Sequence, residues 1–184
     1  EEGRRTYDAD GLSAYRQLPL VVILPETVEQ LAAVMKFCHA EGIKVVPRGS
    51  GTSLSGGALP LADAVLVGLG KFNRILDIDY ANRCVVAQPG VTNLAITHAV
   101  QDKGFYYAPD PSSQIACSVG GNVAENSGGV HCLKYGLTTN NLLGIEFVTI
   151  EGEVLRLGGK HLDSGDYDLM GVMTGSEGLL GIVS

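Results

Sequence analysis

The sequence predicts an α+β fold, and three patterns carry that prediction. A strand–helix–strand unit occupies residues 20–47, a second unit of the same rhythm occupies 84–109, and a hairpin follows near 142–158. A chain of 184 residues fits about one domain and is long enough to bury a sizeable core.

In the first unit "LVVIL" at 20–24 is apolar and β-branched, as a strand requires. "TVEQLAAVMKFCHAEG" then sets Val28, Leu31, Ala32, Met35 and Cys38 at helical spacing. Thr27 with Gln30 three residues on predicts a capping box, Gly42 the helix stop, and "IKVVP" at 43–47 the next strand. The theme recurs as "CVVAQP" at 84–89, a helix opened by Thr92 and closed by Gly104, and "FYYAP" at 105–109, which reads as a weak internal repeat. Between the copies "DAVLVGL" at 63–69 has the texture of a buried strand, and "NRILDIDYANR" alternates before a turn. Residues 110–130, rich in Gly, Ser, Pro and Asn, read as a long functional loop. "LLGIEFVTI" and "EVLRLG" flank Glu151 and Gly152 as a tight hairpin turn. The chain stops inside an apolar, strand-like run, which suggests truncation.

Composition excludes several classes of function. With 45% hydrophobic and 18% charged residues the chain is ordinary globular material, and its longest aliphatic run is too short to span a bilayer. A net charge of −7, with no run among the 13 Lys and Arg, argues against a nucleic-acid partner. "EEGRRTYDADG" has no apolar segment of the kind a secretory leader needs, so a cytoplasmic protein is expected. Cys38, Cys84, Cys117 and Cys132 form no C-x-x-C, which points to reduced thiols. His39, His98, His131 and His161 show no ligand spacing, and no metal site is predicted.

"RGSGTSLSGGA" at 48–58 packs four glycines and four hydroxyl residues into eleven positions directly after an apolar strand. The dinucleotide fingerprint fails there, because Leu54 stands where Gly or Ala is needed. The P-loop pattern fails because Gly57 stands where Lys is needed. What remains is a run of unencumbered amides, the hydroxyls of Ser50, Thr52, Ser53 and Ser55, and the guanidinium of Arg48, a set suited to a pyrophosphate. A turn built for tight packing alone competes with that reading for any single loop. Two further segments decide the matter: "SVGGNVAENSGG", with Gly120, Gly121, Gly128, Gly129 and the amides of Asn122 and Asn126, and "GSEGLLGIV", with Gly175, Gly178 and Gly181 around Glu177. One extended ligand touching all three accounts for them together.

In order and spacing, "PRGSGTSLSGGA", "PGV" at 89–91, "PDPSSQIACSVGGNVAENSGG", "KYGLTTNNLLGIEFVT" and "GSEGLLGIV" resemble the FAD-binding domain shared by vanillyl-alcohol oxidase and p-cresol methylhydroxylase. Within that family the chain is most similar to the FAD subunit of glycolate oxidase and to D-lactate dehydrogenases. The resemblance implies two α+β subdomains, about 17–110 and about 111–184, with FAD between them. It implies that Arg48, Gly49, Ser50, Gly51, Thr52 and Ser53, with Gly57 beyond them, cradle the pyrophosphate, and that Pro89 and Gly90 belong to the same site. Asp110, Pro111, Ser112, Ser113, Cys117, Ser118, Gly120 and Gly121 would run along the pyrophosphate and flavin. Asn122, Glu125, Asn126, Ser127, Gly128 and Gly129 would continue that wall, and Glu177, Gly181 and Ile182 would approach the adenosine half. Some relatives attach FAD through a histidine in the first loop. Thr52 stands at that place, which implies dissociable FAD.

The activity implied is that of a flavin-dependent 2-hydroxy-acid dehydrogenase or oxidase of the glycolate or D-lactate type, hydride passing from substrate to flavin. The substrate-binding cap and the catalytic and metal-binding histidines of such relatives lie beyond the matching stretch, so these residues are expected to hold the cofactor without a complete active site. Iron–sulfur and second flavin subunits are implied as partners. Cys117 and Cys132 lack a partner cysteine and read as inert, and His131 reads as structural, although it follows the second glycine segment closely. Two rival readings stand beside this one: a non-catalytic module for another phosphorylated ligand, and a purely structural glycine-rich domain.

Overall fold

The computed structural model describes residues 2–160 and 167–184. A short helix α1 (Glu2–Arg5) precedes β1 (Val21–Ile23), α2 (Val28–Ala40), β2 (Lys44–Arg48) and β3 (Ala64–Gly68). The three strands form a parallel sheet in the order β1-β3-β2, with Val21 and Val45 both opposite Val65. Every residue of the central strand β3 is buried, as a parallel strand covered on both faces must be. Helix α2 makes the crossover and turns Leu31, Met35 and Cys38 inward. Its capping box is half formed. The Thr27 hydroxyl accepts from the Gln30 N–H at 3.3 Å, whereas the Gln30 side chain accepts from the Glu26 N–H at 2.8 Å, one residue upstream of the expected partner. The helix ends as predicted at Gly42 (φ +65°), where Gly42 N–H meets His39 O and Ile43 N–H meets Cys38 O, a Schellman ending.

The second unit departs from the repeat. β4 (Ile75–Asp79) and β5 (Cys84–Ala87) pair with each other antiparallel, and α3 (Asn93–Val100) follows. Residues 105–109 form no strand. Their hydrogen bonds run to α3 instead: Phe105 N–H donates to Val100 O at 3.3 Å, Tyr107 N–H to the Thr97 hydroxyl and the Asn93 amide to Pro109 O, the last two at 3.0 Å. Pro109 has no N–H to offer a ladder. The β-α-β repeat therefore exists only in the first copy.

The segment expected as one long loop contains a helix, α4 (Val119–Glu125). Two glycines in its first turn disfavour a helix by about 1 kcal/mol each. Tertiary contacts supply what propensity lacks: Val119 N–H donates to Val91 O and Gly120 N–H to Pro89 O, both at 2.8 Å. Ser118 caps the start by accepting from Gly121 N–H at 3.3 Å, and Asn126 (φ +51°) ends the helix in the left-handed conformation. After α5 (Cys132–Tyr135), β6 (Gly144–Val148) and β7 (Val154–Gly158) form the predicted hairpin, with α6 (Leu169–Met173) and β8 (Ile182–Val183) beyond. The order is β7-β6-β8, all antiparallel. The hairpin turn takes in Ile150 as well as Glu151 and Gly152, because Gly152 N–H donates to Thr149 O and Thr149 N–H to Glu153 O.

One core joins the two halves. Leu31, Met35 and Cys38 of α2 pack with Val65, Val67 and Phe72 on one side and with Val148 and Ile182 of the last sheet on the other. A smaller cluster of Val123, Ile145, Phe147 and Met173 fixes α4 and α6 to β6. Among the described residues no helix is long and apolar enough to cross a membrane.

Candidate functional site

The first glycine loop leaves the carboxyl end of β2, beside the end of β3, the place where parallel sheets leave room for ligands. α4 and the turn before β8 approach from the other side, and a cleft opens among the three. Of the expected residues, Arg48, Gly49, Ser50, Gly51, Thr52, Ser53 and Gly57 line it from the first loop. Ser113, Cys117, Ser118, Gly120, Gly121, Asn122, Glu125 and Ser127 line it from the second segment, Glu177, Gly181 and Ile182 from the third, and Pro89 joins them from the turn after β5. Three segments far apart in the chain thus share one concavity.

The hydrogen-bond ledger separates the roles within that wall. Among the described residues no backbone N–H of residues 49–53 donates to another group of the chain, so five consecutive lining residues keep their donors unspent. The amides of Val119, Gly120 and Gly121 are already engaged, by Val91 O, Pro89 O and the Ser118 hydroxyl. Gly120 is small because Pro89 lies against it, where a Cβ would come within 2.5 Å of the proline Cβ, and Gly49 is small because the Ser118 hydroxyl fills the space beside it. Gly120 and Gly121 thus lie in the lining with their amides spent within the chain, and Gly120 packs on Pro89. Asn122 is 1% exposed and its Nδ2 has no hydrogen-bond partner, a costly arrangement for a buried amide donor.

Arg48 lies in the lining with its guanidinium engaged within the chain. Its guanidinium donates through Nη1 to Ala58 O at 3.1 Å and through Nη2 to Ala9 O at 2.6 Å, and burial lowers its pKa against the opposing charge of Asp10. Gly51 has the positive φ expected of it, +68°, and a Cβ there would lie 2.5 Å from Cζ of Arg48. Glu177 also stands at positive φ, +54°, and its N–H donates to Ala124 O at 2.8 Å, as Gly175 N–H does to Val123 O. The third segment is thereby fastened to the end of α4, and the Glu177 carboxylate reaches toward Gly57.

The remaining expected residues lie outside the cleft lining. Gly90 packs against the carbonyls of Leu69 and Phe72, where a Cβ would come within 2.5 and 2.6 Å. Asp110 accepts from the His131 N–H at 3.2 Å and from His131 Nδ1 at 2.5 Å. Burial tends to raise the Asp110 carboxyl, and these hydrogen bonds more than reverse it, so its pKa is lowered. Gly129 closes on Asp110 in a bridge, Gly128 packs against Leu137 and Cys132, and Pro111 and Ser112 belong to the turn that Gln114 N–H closes on Pro111 O. Asn126 accepts from Thr139 N–H at 3.0 Å. His39 and His98 fall within α2 and α3, and His161 lies outside the described residues. The Cys117 thiol is pushed up by burial, which agrees with an inert reading. Gly178 of the third glycine segment lines the cleft too, and residues not singled out in the sequence, among them Leu69, Ala124 and Ser176, join the lining because they adjoin the loops in space or in chain. Among the described residues no group of three His, Cys, Asp or Glu side chains could hold a metal ion.

The chain belongs to the FAD binding domain family, whose model matches residues 19–158. FAD is accordingly the cofactor of this domain. Among curated proteins it is 58% identical over 178 residues to the glycolate oxidase subunit GlcD of Escherichia coli (strain K12), covering 97% of this chain and 36% of that protein. It is 41% identical to the Bacillus subtilis (strain 168) GlcD, with 99% and 39% covered. It is 36% identical to D-2-hydroxyglutarate dehydrogenase of Xanthomonas citri pv. viticola, with 96% and 38% covered. The chain thus spans between a third and two fifths of the length of these relatives. Among solved structures, alkyldihydroxyacetonephosphate synthase matches with a TM-score of 0.78 at 23% identity, over 88% of this chain and 30% of that one, a likeness of fold.

Proposed function

We propose that the cleft holds FAD without a covalent bond, and that the domain serves, as part of a longer chain, a 2-hydroxy-acid oxidoreductase of the glycolate or D-lactate type. The observation that carries the cofactor's placement is the run of amides at 49–53, unengaged within the chain and lining the cleft opposite α4. A pyrophosphate is rich in acceptor oxygens and carries negative charge, so it matches a concavity that offers donors. Ser50, Thr52 and Ser53 would add hydroxyls, and Gly51 lets the loop turn. Glu177 and Ile182 would bound the other end, and Cys117, Ser118 and Asn122 the side next to α4. When bound, FAD supplies the capacity to accept a hydride from the α-carbon of the acid. The residues described here bind it, orient it and exclude water from one side.

The substrate reading rests on the relatives' names, glycolate oxidase subunit and D-2-hydroxyglutarate dehydrogenase. Subdomains of about 17–110 and 111–184 before a substrate-binding cap belong to the same proposal, as do a cytoplasmic location and partners carrying an iron–sulfur centre or a second flavin. The test is release of the cofactor. Purified protein reconstituted with FAD and denatured with acid should leave all flavin in the supernatant. Flavin retained on the precipitated polypeptide overturns the non-covalent claim, and failure of folded protein to take up FAD overturns the site.

A further inference from the structure

The loop at 49–53 has a second neighbour besides the cleft. On its far side lies the segment Tyr7–Gly11, which precedes the family match beginning at residue 19. Arg48, only 7% exposed, joins the two: Nη2 donates to Ala9 O at 2.6 Å, Nη1 donates to Ala58 O at 3.1 Å, and Cζ stands 5.9 Å from the centre of the Tyr7 ring. Two neutral carbonyls and an aromatic face hold this guanidinium in place. Asp10, itself buried, spends Oδ1 on the Leu12 N–H at 2.9 Å, and its Oδ2 has no hydrogen-bond partner. Gly11 completes the contact, since a Cβ on it would fall 2.7 Å from Thr52 O and 2.8 Å from Ser53 O. Backbone oxygens cannot swing aside as a side chain can. From above, Gly51 rests on the same guanidinium.

We infer that Tyr7–Gly11 is part of the cofactor site: with Arg48 it clasps the 49–53 loop from behind and sets the conformation in which its amides face the cleft, so that Arg48 and Gly11 are positioning residues. The inference rests on the FAD reading above and adds a segment that neither lines the cleft nor falls within the family match. Its logic is preorganisation. Five amides bind one anion well only if the chain holds them converged before the ligand arrives, and a loop of glycine and serine does not hold itself.

The test uses all 184 residues, reconstituted with FAD. Gly11→Ala adds a single methyl that presses on Thr52 O and Ser53 O, and Gly3→Ala, whose Cβ would meet nothing within 4 Å, is the control. Affinity for FAD is read by titration with quenching of flavin fluorescence, and the fold by thermal melting of the apo-protein. Gly11→Ala should weaken FAD binding about tenfold or more, a larger loss than the accompanying fall in the apo-protein's melting temperature accounts for. Arg48→Lys keeps the charge and loses the two-pronged tie. It should weaken binding in the same sense, and it serves as the test if Gly11→Ala does not fold. Parent-like affinity in either folded variant overturns the clasp, as does a loss of binding no larger than the loss of folded protein. If the parent itself takes up no FAD, it is the cofactor reading that fails.

Discussion

At Gly51 the sequence suggests a backbone brought too close to a pyrophosphate for any side chain, and a need for positive φ. The φ of +68° agrees, but the atoms that crowd the position belong to Arg48. The expected behaviour of Gly51→Val changes with that finding. A β-branched residue resists positive φ at a cost of about 1–3 kcal/mol, and this cost falls on the apo-protein, because the clash with Arg48 exists before any ligand binds. Gly51→Val should therefore lower the apo melting temperature and FAD affinity together. An apo-protein as stable as the parent would place the crowding in the ligand. Thr52 sits in the same loop, where attachment of FAD would require a histidine, and the release experiment speaks to that residue directly.

Two helices begin on a hydroxyl cap, and they separate fold from site at the scale of an element. Thr27 accepts from Gln30 N–H at the start of α2, and Ser118 accepts from Gly121 N–H at the start of α4, each at 3.3 Å. Replacing either by alanine should cost about 1 kcal/mol of stability. Only Ser118 touches the cleft, where its hydroxyl also fills the space beside Gly49. Ser118→Ala should thus lower FAD affinity as well, whereas Thr27→Ala should leave it unchanged. Chemical denaturation measures the first quantity and flavin titration the second. Equal affinity in the two variants would show that α4 does not position the first loop.

At the scale of the molecule, α2 lies between the first sheet and the last, and its buried residues share one cluster with Val148 and Ile182. Two halves joined in this way should unfold as one. Calorimetry of the apo-protein is expected to show a single transition, with Leu31→Ala lowering its stability by ~2–5 kcal/mol. Two resolved transitions, only one of them displaced by that variant, would show that the halves are independent. The shared core also bears on the cofactor site, because the third glycine segment leads directly into Ile182 of β8.

Sequence alone determined the strand–helix–strand unit at 20–47, the buried strand at 63–69, the final hairpin and the three glycine segments. Each is a local signal: an apolar period, a cap, or a density of residues permissive to unusual backbone. The same logic misread 105–109, where an apolar stretch looked like a strand although its hydrogen bonds go to Asn93, Thr97 and Val100 of a neighbouring helix. It missed α4 too, since glycines at 120 and 121 argue against a helix until the carbonyls of Pro89 and Val91 arrive to bind its first amides. Residue type identified Arg48 and Gly120 as members of the site but not their duties. Whether a guanidinium faces a phosphate or two carbonyls, and whether a glycine makes room for a ligand or for a proline ring, depends on which distant segment packs beside it. Those pairings join residues far apart in the chain, Arg48 to Ala9 and Gly120 to Pro89, and only the tertiary structure records them.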